Sequence, residues 1–292
     1  MNYLQIVQQI AEKRSFLIVG LDSDYDKIPE CVKAQAAKES GDVWNPIKMF
    51  NQAVIDATAP YAVGYKLNSA FYEKFGMQGI GALYNTVGYI KDRYPEMLVI
   101  VDAKRGDIGN TSECYATAVF DNLNADAVTV APYMGYDSVE PFLKHEGKWT
   151  ILLALTSNKG SDDFQMKLLG MDEGYMFERV LRIASSWQPL PDHINAEQMM
   201  FVVGATHPKM FQDVRRIVPD HFLLVPGVGA QGGSLRSVVA YGINENFCCL
   251  LVNSSRGIIF AGKDEHYAEA AGNKARELQQ EMSELLSEYT RM

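Results

Sequence analysis

Eight apolar runs, each followed by a stretch of helical spacing, recur from one end of this chain to the other. They fall at residues 16–21, 61–68, 97–102, 127–130, 149–155, 199–204, 221–225 and 247–252. Continuous apolar runs of this length read as strands buried on both faces, which is the pattern of a parallel sheet covered by helices. Eight strand–helix units predict a (β/α)8 barrel, and 292 residues fit that fold's common length of ~250 with some insertion. An open doubly wound sheet is the alternative. It is more often built on six strands, and no G-x-G-x-x-G follows the first run. No linker or low-complexity stretch divides the chain. The expectation is therefore a single domain over 1–292, with inserted segments near 23–45 and 156–174. The second insert reads as a long polar loop.

The third run carries the densest chemistry. It ends Val101-Asp102-Ala103-Lys104-Arg105-Gly106-Asp107. Alternation along a strand sends Asp102 and Lys104 to the same face, and Asp107 falls in the turn before the next helix. Charges at the end of a buried strand are costly unless paired. One such pair would read as a structural salt bridge. Two carboxylates alternating with a lysine in a single turn read instead as a cluster that tunes pKa values.

In a barrel, the C-terminal ends of the strands meet at one mouth. The first strand brings Asp22, which could equally cap a helix. The second brings Lys66 and Asn68, the fifth Thr156, Ser157 and Asn158. The seventh opens into a glycine-rich loop, 226–233, that includes Gln231. The eighth ends in Asn253, Ser254, Ser255 and Arg256. Glycine-rich turns let backbone N–H groups face an anion, a following helix N-terminus favours negative charge, and arginine can clamp phosphate in bidentate fashion. The glycines could also simply make a tight turn. On consecutive strands, the two loops together point to a phosphate site.

The remaining composition narrows the function classes. A formal charge of −9 argues against nucleic acid or an anionic membrane surface as the main partner. No apolar stretch approaches the ~18 residues of a membrane span. The N-terminus has glutamines where a signal peptide needs an apolar core, so a cytoplasmic protein is expected. Cys31, Cys114, Cys248 and Cys249 show no metal-type spacing and read as reduced thiols, the last two side by side in the eighth strand. The five histidines are scattered without metal-ligand spacing. No H-E-x-x-H, P-loop or G-x-S-x-G motif appears.

The stretch D-A-K-R-G-D-I-G-N-T at 102–111 closely resembles the D-x-K-x-x-D-I-x-x-T signature of the orotidine 5′-monophosphate decarboxylase family. Gly20-Leu21-Asp22, Tyr65-Lys66-Leu67-Asn68, Thr156-Ser157-Asn158, Pro226-Gly227-Val228-Gly229 and Arg256-Gly257 extend the likeness along nearly the whole chain. The length and the two inserts are similar to the family's longer bacterial branch. The resemblance implies a dimeric barrel without metal or organic cofactor that converts orotidine monophosphate to uridine monophosphate, the last step of pyrimidine nucleotide synthesis. It implies an alternating charged array of Lys66, Asp102, Lys104 and Asp107, with Asp107 and Thr111 entering the neighbouring subunit's site. Asp22 would hold ribose hydroxyls, Ser157 would meet the pyrimidine, and Gln231 and Arg256 would bind phosphate. Asn68 belongs to the same substrate-binding set.

Two rival readings share parts of this pattern. Sugar-phosphate decarboxylases and aldolases of the same superfamily use D-x-K-x-x-D with magnesium. Lys66 and the D-I-x-x-T extension favour the nucleotide enzyme. A non-catalytic phosphate-binding barrel would not place two carboxylates beside Lys104.

Overall fold

The computed structural model describes residues 1–39, 44–170, 174–187, 198–229 and 232–292. Eight parallel strands close on themselves: β1 (Leu17–Gly20), β2 (Gly64–Asn68), β3 (Leu98–Arg105), β4 (Ala127–Val130), β5 (Trp149–Leu155), β8 (Met199–Val203), β9 (Leu223–Pro226) and β10 (Leu250–Ser254). Around the barrel the order is β1-β10-β9-β8-β5-β4-β3-β2. The predicted (β/α)8 barrel is thus the observed one. The inner and outer faces of the strands are sealed, so residues such as Val99, Ile100, Ile151 and Leu251 have no solvent exposure. That is why the strands read as unbroken apolar runs rather than alternating ones.

The outer layer is helical: α1 (Tyr3–Lys13), α2 (Glu30–Glu39), α3 (Trp44–Thr58), α4 (Ala70–Glu73), α5 (Gly76–Arg93), α6 (Gly109–Thr117), α7 (Tyr136–Leu143), α8 (Met176–Ala184), α9 (Met210–Ile217), α10 (Leu235–Gly242), α11 (Arg256–Ile259) and α12 (Tyr267–Tyr289). Asn2 caps α1 by accepting the Gln5 N–H at 2.9 Å, and the Gln5 side chain answers on the Asn2 N–H at 2.7 Å. This capping box fixes α1 across the N-terminal end of the barrel. There, Tyr3 packs on Phe222 with ring centroids 5.0 Å apart, and the Trp149 indole donates to the Met1 carbonyl at 2.8 Å. With that end plugged, the opposite end is left for a site.

Two expectations are corrected. The eighth strand starts at Leu250, three residues later than the apolar run. Cys248 and Cys249 instead take left-handed backbone angles, φ 61° and 55°, in a buried turn closed by reciprocal Asn244–Cys248 backbone bonds. An apolar run reports burial, and here burial continues through the turn that enters the strand. The segment 156–174 is not wholly irregular. It holds a 3-10 turn (Lys159–Asp163) and a short antiparallel pair, β6 (Leu168–Gly170) with β7 (Gly174–Tyr175). Their side chains are mostly polar or exposed, so no alternating pattern marks them. The segment 23–45 supplies a 3-10 turn (Tyr25–Lys27) and α2, which ties to α3 through the Asn45 amide donating to the Ala36 carbonyl at 3.3 Å.

A half-buried cation, Arg215 on α9, sits beside the entries to β9 and β10. The Arg215 guanidinium donates to the carbonyls of Gly242, His221 and Cys249 at 2.6, 2.7 and 2.8 Å. His221, 8% exposed, is lowered to about 4 by burial and then by Arg215. The unfolded imidazole titrates near ~6.5. Between these values the unfolded chain binds a proton that the folded chain does not, so stability rises with pH across that window. The contribution is present in full above about pH 6.5 and is lost as pH falls toward 4, on the order of 3 kcal/mol. Urea unfolding at pH 7 and pH 4.5 should show this loss in the native chain and a smaller one in His221→Phe. Equal losses in both would refute it.

Candidate active site

At the open end of the barrel lies a cavity of about 710 Å³ lined by Asp22, Lys66, Asn68, Asp102, Lys104, Ser157 and Arg256, together with an apolar wall that includes Leu153, Val202 and Leu224. Seven of the side chains singled out by sequence therefore converge, although they come from five strand ends far apart in the chain. Gln231 lies outside the described residues.

The centre of the cavity is an ion-paired row. Asp102 accepts from the Lys66 ammonium at 2.8 Å on Oδ2 and from the Lys104 ammonium at 2.6 Å on Oδ1. Asp22 stands 3.9 Å from Lys66 on the other side. Burial opposes charge on the Asp102 carboxyl, but the ammonium groups of Lys66 and Lys104 more than offset it and hold Asp102 well below the ordinary carboxylate range. Lys66 is 4% exposed. Burial favours its neutral form, yet the Asp102 and Asp22 carboxylates raise its pKa above the ordinary value, so it stays an ammonium. Removing a buried member, Lys66 or Asp102, strands the charge it pairs with, at a cost of about 3–5 kcal/mol, whereas Lys104 is half exposed.

The backbone around this row is unusual. Along β3 and β4, Val101 stands opposite Val128 and Arg105 opposite Val130, so residues 102–104 face the single residue Thr129. This bulge turns the strand just where the charges lie. Lys104 takes a left-handed φ of 48°, which costs a non-glycine residue about 1–2 kcal/mol. Asp102 and Lys104 do meet on one side, as simple alternation predicts, but the chain reaches that arrangement through a kink. Thr129 was not among the residues singled out by sequence. The signal available was a lone hydroxyl inside the apolar run Ala127-Val128-Thr129-Val130.

Asp22 is not the cap of the turn that follows β1, because Asp24 occupies that place. A buried polar network braces the backbone on both sides of Asp22. The Tyr72 hydroxyl donates to the Leu21 carbonyl at 2.9 Å, and the Ser23 hydroxyl donates to Asn51 at 2.5 Å. Gly20 is required beside it. A Cβ there would lie 2.8 Å from the Ser255 Cβ, closing the seam between β1 and the end of β10. Asn68 uses its carbonyl oxygen to accept the Ala70 N–H at 3.2 Å and so starts α4 at the rim.

The loop after β9 departs from expectation. Gly227, Gly229 and Gly232 take φ of 96°, 72° and 86°, and the loop curls on itself. The N–H groups of Gly229, Gly232 and Gly233 are used within it, on Gly233, Gly229 and Gly227 carbonyls at 3.0, 2.9 and 3.1 Å. These three donors do not face an anion. Gly227 and Val228 line the cavity, and Arg256, the first residue of α11, reaches the same rim. Asp107 and Thr111 stand apart from the cavity of their own chain. Asp107 accepts the Ile108 N–H at 2.8 Å, and Thr111 is exposed on α6. Among the described residues, no cluster of three or more His, Cys, Asp or Glu side chains is placed to hold a metal ion, and no helix is long and apolar enough to cross a membrane.

Comparison with known proteins matches residues 15–271 to the orotidine 5′-phosphate decarboxylase / HUMPS family. The chain belongs to this family. An orotidine 5′-phosphate decarboxylase of Phocaeicola vulgatus is 54% identical over 286 residues, 98% of this chain and 99% of that one. Its counterpart in Porphyromonas gingivalis is 52% identical, covering 97% of this chain and 96% of its own. The solved structure of the Leishmania donovani OMP decarboxylase superposes with a TM-score of 0.79 at 32% identity, over 98% of this chain and 99% of that one. As a member of the orotidine 5′-phosphate decarboxylase family, the chain carries its Lys-Asp-Lys row at the strand ends of the barrel, where that fold puts active sites.

Proposed function

We propose that the chain decarboxylates orotidine 5′-monophosphate to uridine 5′-monophosphate and CO2, without a metal, as the final step of de novo pyrimidine synthesis. The observation that carries this reading is the Lys66–Asp102–Lys104 row, in which one buried carboxylate is shared by two ammonium groups inside a nucleotide-sized cavity. Relatives of the same length that bear the decarboxylase name support it.

The chemistry suits the row. When the bond from the pyrimidine ring to the carboxylate breaks heterolytically, CO2 leaves and the electron pair stays in the ring plane, outside the π system. Lys104 stabilises that carbanion as a preorganised cation and then gives it a proton, and solvent returns a proton to Lys104. Asp102 pairs with the Lys104 ammonium at 2.6 Å and disfavours the substrate carboxylate beside it. Lys66 holds Asp102 ionised. Arg256 anchors phosphate at the rim, Asp22 and Asn68 meet the ribose, and Ser157 meets the pyrimidine. Energy from the remote phosphate is then available to the transition state.

The reading includes a homodimer in the cytoplasm, with Asp107 and Thr111 of each copy completing the other's cavity. The Ser112 hydroxyl lies between the starts of α6 and α7, 2.6 Å from the Asp107 carbonyl and 3.0 Å from the Ser138 carbonyl. Around them Ile108 is 54% and Tyr133 91% exposed, an apolar surface suited to burial against a second copy. The deciding experiment follows the ultraviolet absorbance of orotidine monophosphate with and without EDTA. Full turnover in EDTA is expected. Loss of turnover on chelation, restored by magnesium, would favour a metal-dependent reaction.

A further inference from the structure

We propose that Thr129 is a positioning residue for the reaction: its hydroxyl locks Asp102 and the kinked backbone of Lys104 into one rigid unit. The proposal rests on the decarboxylation reading above. Thr129 is 1% exposed, yet it lies at the cavity wall. Its hydroxyl accepts the Lys104 N–H at 2.9 Å and donates to Asp102 Oδ1 at 2.9 Å. The same Oδ1 receives the Lys104 ammonium at 2.6 Å. A closed ring results, running from the Lys104 backbone through the Thr129 hydroxyl and the Asp102 carboxylate to the tip of the Lys104 side chain.

The ring answers a need that the local backbone creates. Residues 102–104 stand opposite Thr129 alone, so β4 meets three residues of β3 with one. Lys104 also holds a left-handed φ of 48°, a conformation a lysine keeps only when its surroundings impose it. The hydroxyl of Thr129 takes the N–H of that residue and ties it to the neighbouring strand. It also occupies a lone pair of Asp102, which fixes the carboxylate plane between Lys66 and Lys104. A hydroxyl donating to a carboxylate stabilises its charged form. Valine has the shape of threonine but can neither accept nor donate here.

Thr129→Val, Thr129→Ala and Thr129→Ser separate this role from packing. Misplacing a reacting group by about 1 Å costs on the order of 100-fold. Thr129→Val and Thr129→Ala are each expected to lose about 30- to 100-fold in kcat, with KM for orotidine monophosphate and affinity for uridine monophosphate kept within about 3-fold. Thr129→Ser keeps the hydroxyl and should keep kcat within about 3-fold. Thr129→Ala makes no steric demand, so it serves if valine perturbs the melting temperature. Native kcat in Thr129→Ala, equal losses in Ala and Ser, or a loss confined to KM would overturn the proposal while the decarboxylation reading stood. Absence of turnover by the unsubstituted chain would overturn that reading, and this one with it.

Discussion

Lys104→Ala is expected to fold, to bind uridine monophosphate, and to lose decarboxylation by about 10⁴-fold or more. The size follows from asking one side chain to do two jobs. Electrostatic stabilisation by one preorganised donor contributes ~10²–10³, and general acid catalysis ~10²–10⁴. The fold should tolerate the change because the Lys104 side chain is about half exposed, at 49%. Asp102 would keep its bonds to Lys66 and Thr129, so no buried charge is left alone. Alanine at φ 48° is strained much as lysine is, which leaves the backbone penalty nearly unchanged. A single-turnover ultraviolet assay, beside calorimetry with uridine monophosphate, reads both quantities. Turnover within about 10-fold of the native chain would remove Lys104 from the mechanism.

Arg256→Ala is expected to weaken uridine monophosphate binding and lower kcat/KM for orotidine monophosphate by about 100-fold or more. Charge-assisted hydrogen bonds contribute about 1.5–3 kcal/mol each, and a bidentate clamp makes two. The Arg256 side chain is exposed at the rim, and the burial of α11 rests on Ile258 and Ile259, so thermal unfolding should shift little. Uridine, which lacks the phosphate, should bind the variant and the native chain alike. Unchanged nucleotide affinity by calorimetry would exclude the phosphate role. The N–H groups of Gly229, Gly232 and Gly233 are used inside their own loop, so on the proposed reading these three amides leave Arg256 a larger part of anion recognition.

Much of the site was legible before any coordinates. Lys66, Asp102 and Lys104 announced themselves as charges ending apolar runs, and the barrel rule gathers such residues at one mouth. Arg256 followed the same rule from the last strand. Thr129 escaped because a threonine inside a strand is unremarkable until its partner is known. That partner is the N–H of a residue whose left-handed backbone no local pattern signals. Cys248 and Cys249 misled for a related reason, since apolar character continued through a turn and hid where the strand began.

Periodicity along the chain pointed to the architecture, because buried parallel strands must be apolar on both faces and eight of them favour a closed barrel over an open sheet. The charged residues at the run ends were enough to mark where a site would lie, since buried charge is costly unless paired or used; the reaction itself came from the resemblance of 102–111 to a family signature. What needed three dimensions was the exact seating of those charges. Which oxygen of Asp102 meets which lysine, and the bulge that sets Thr129 against residues 102–104, depend on how β3 and β4 lie beside each other. Register between strands is a long-range pairing, and a linear pattern carries no term for it.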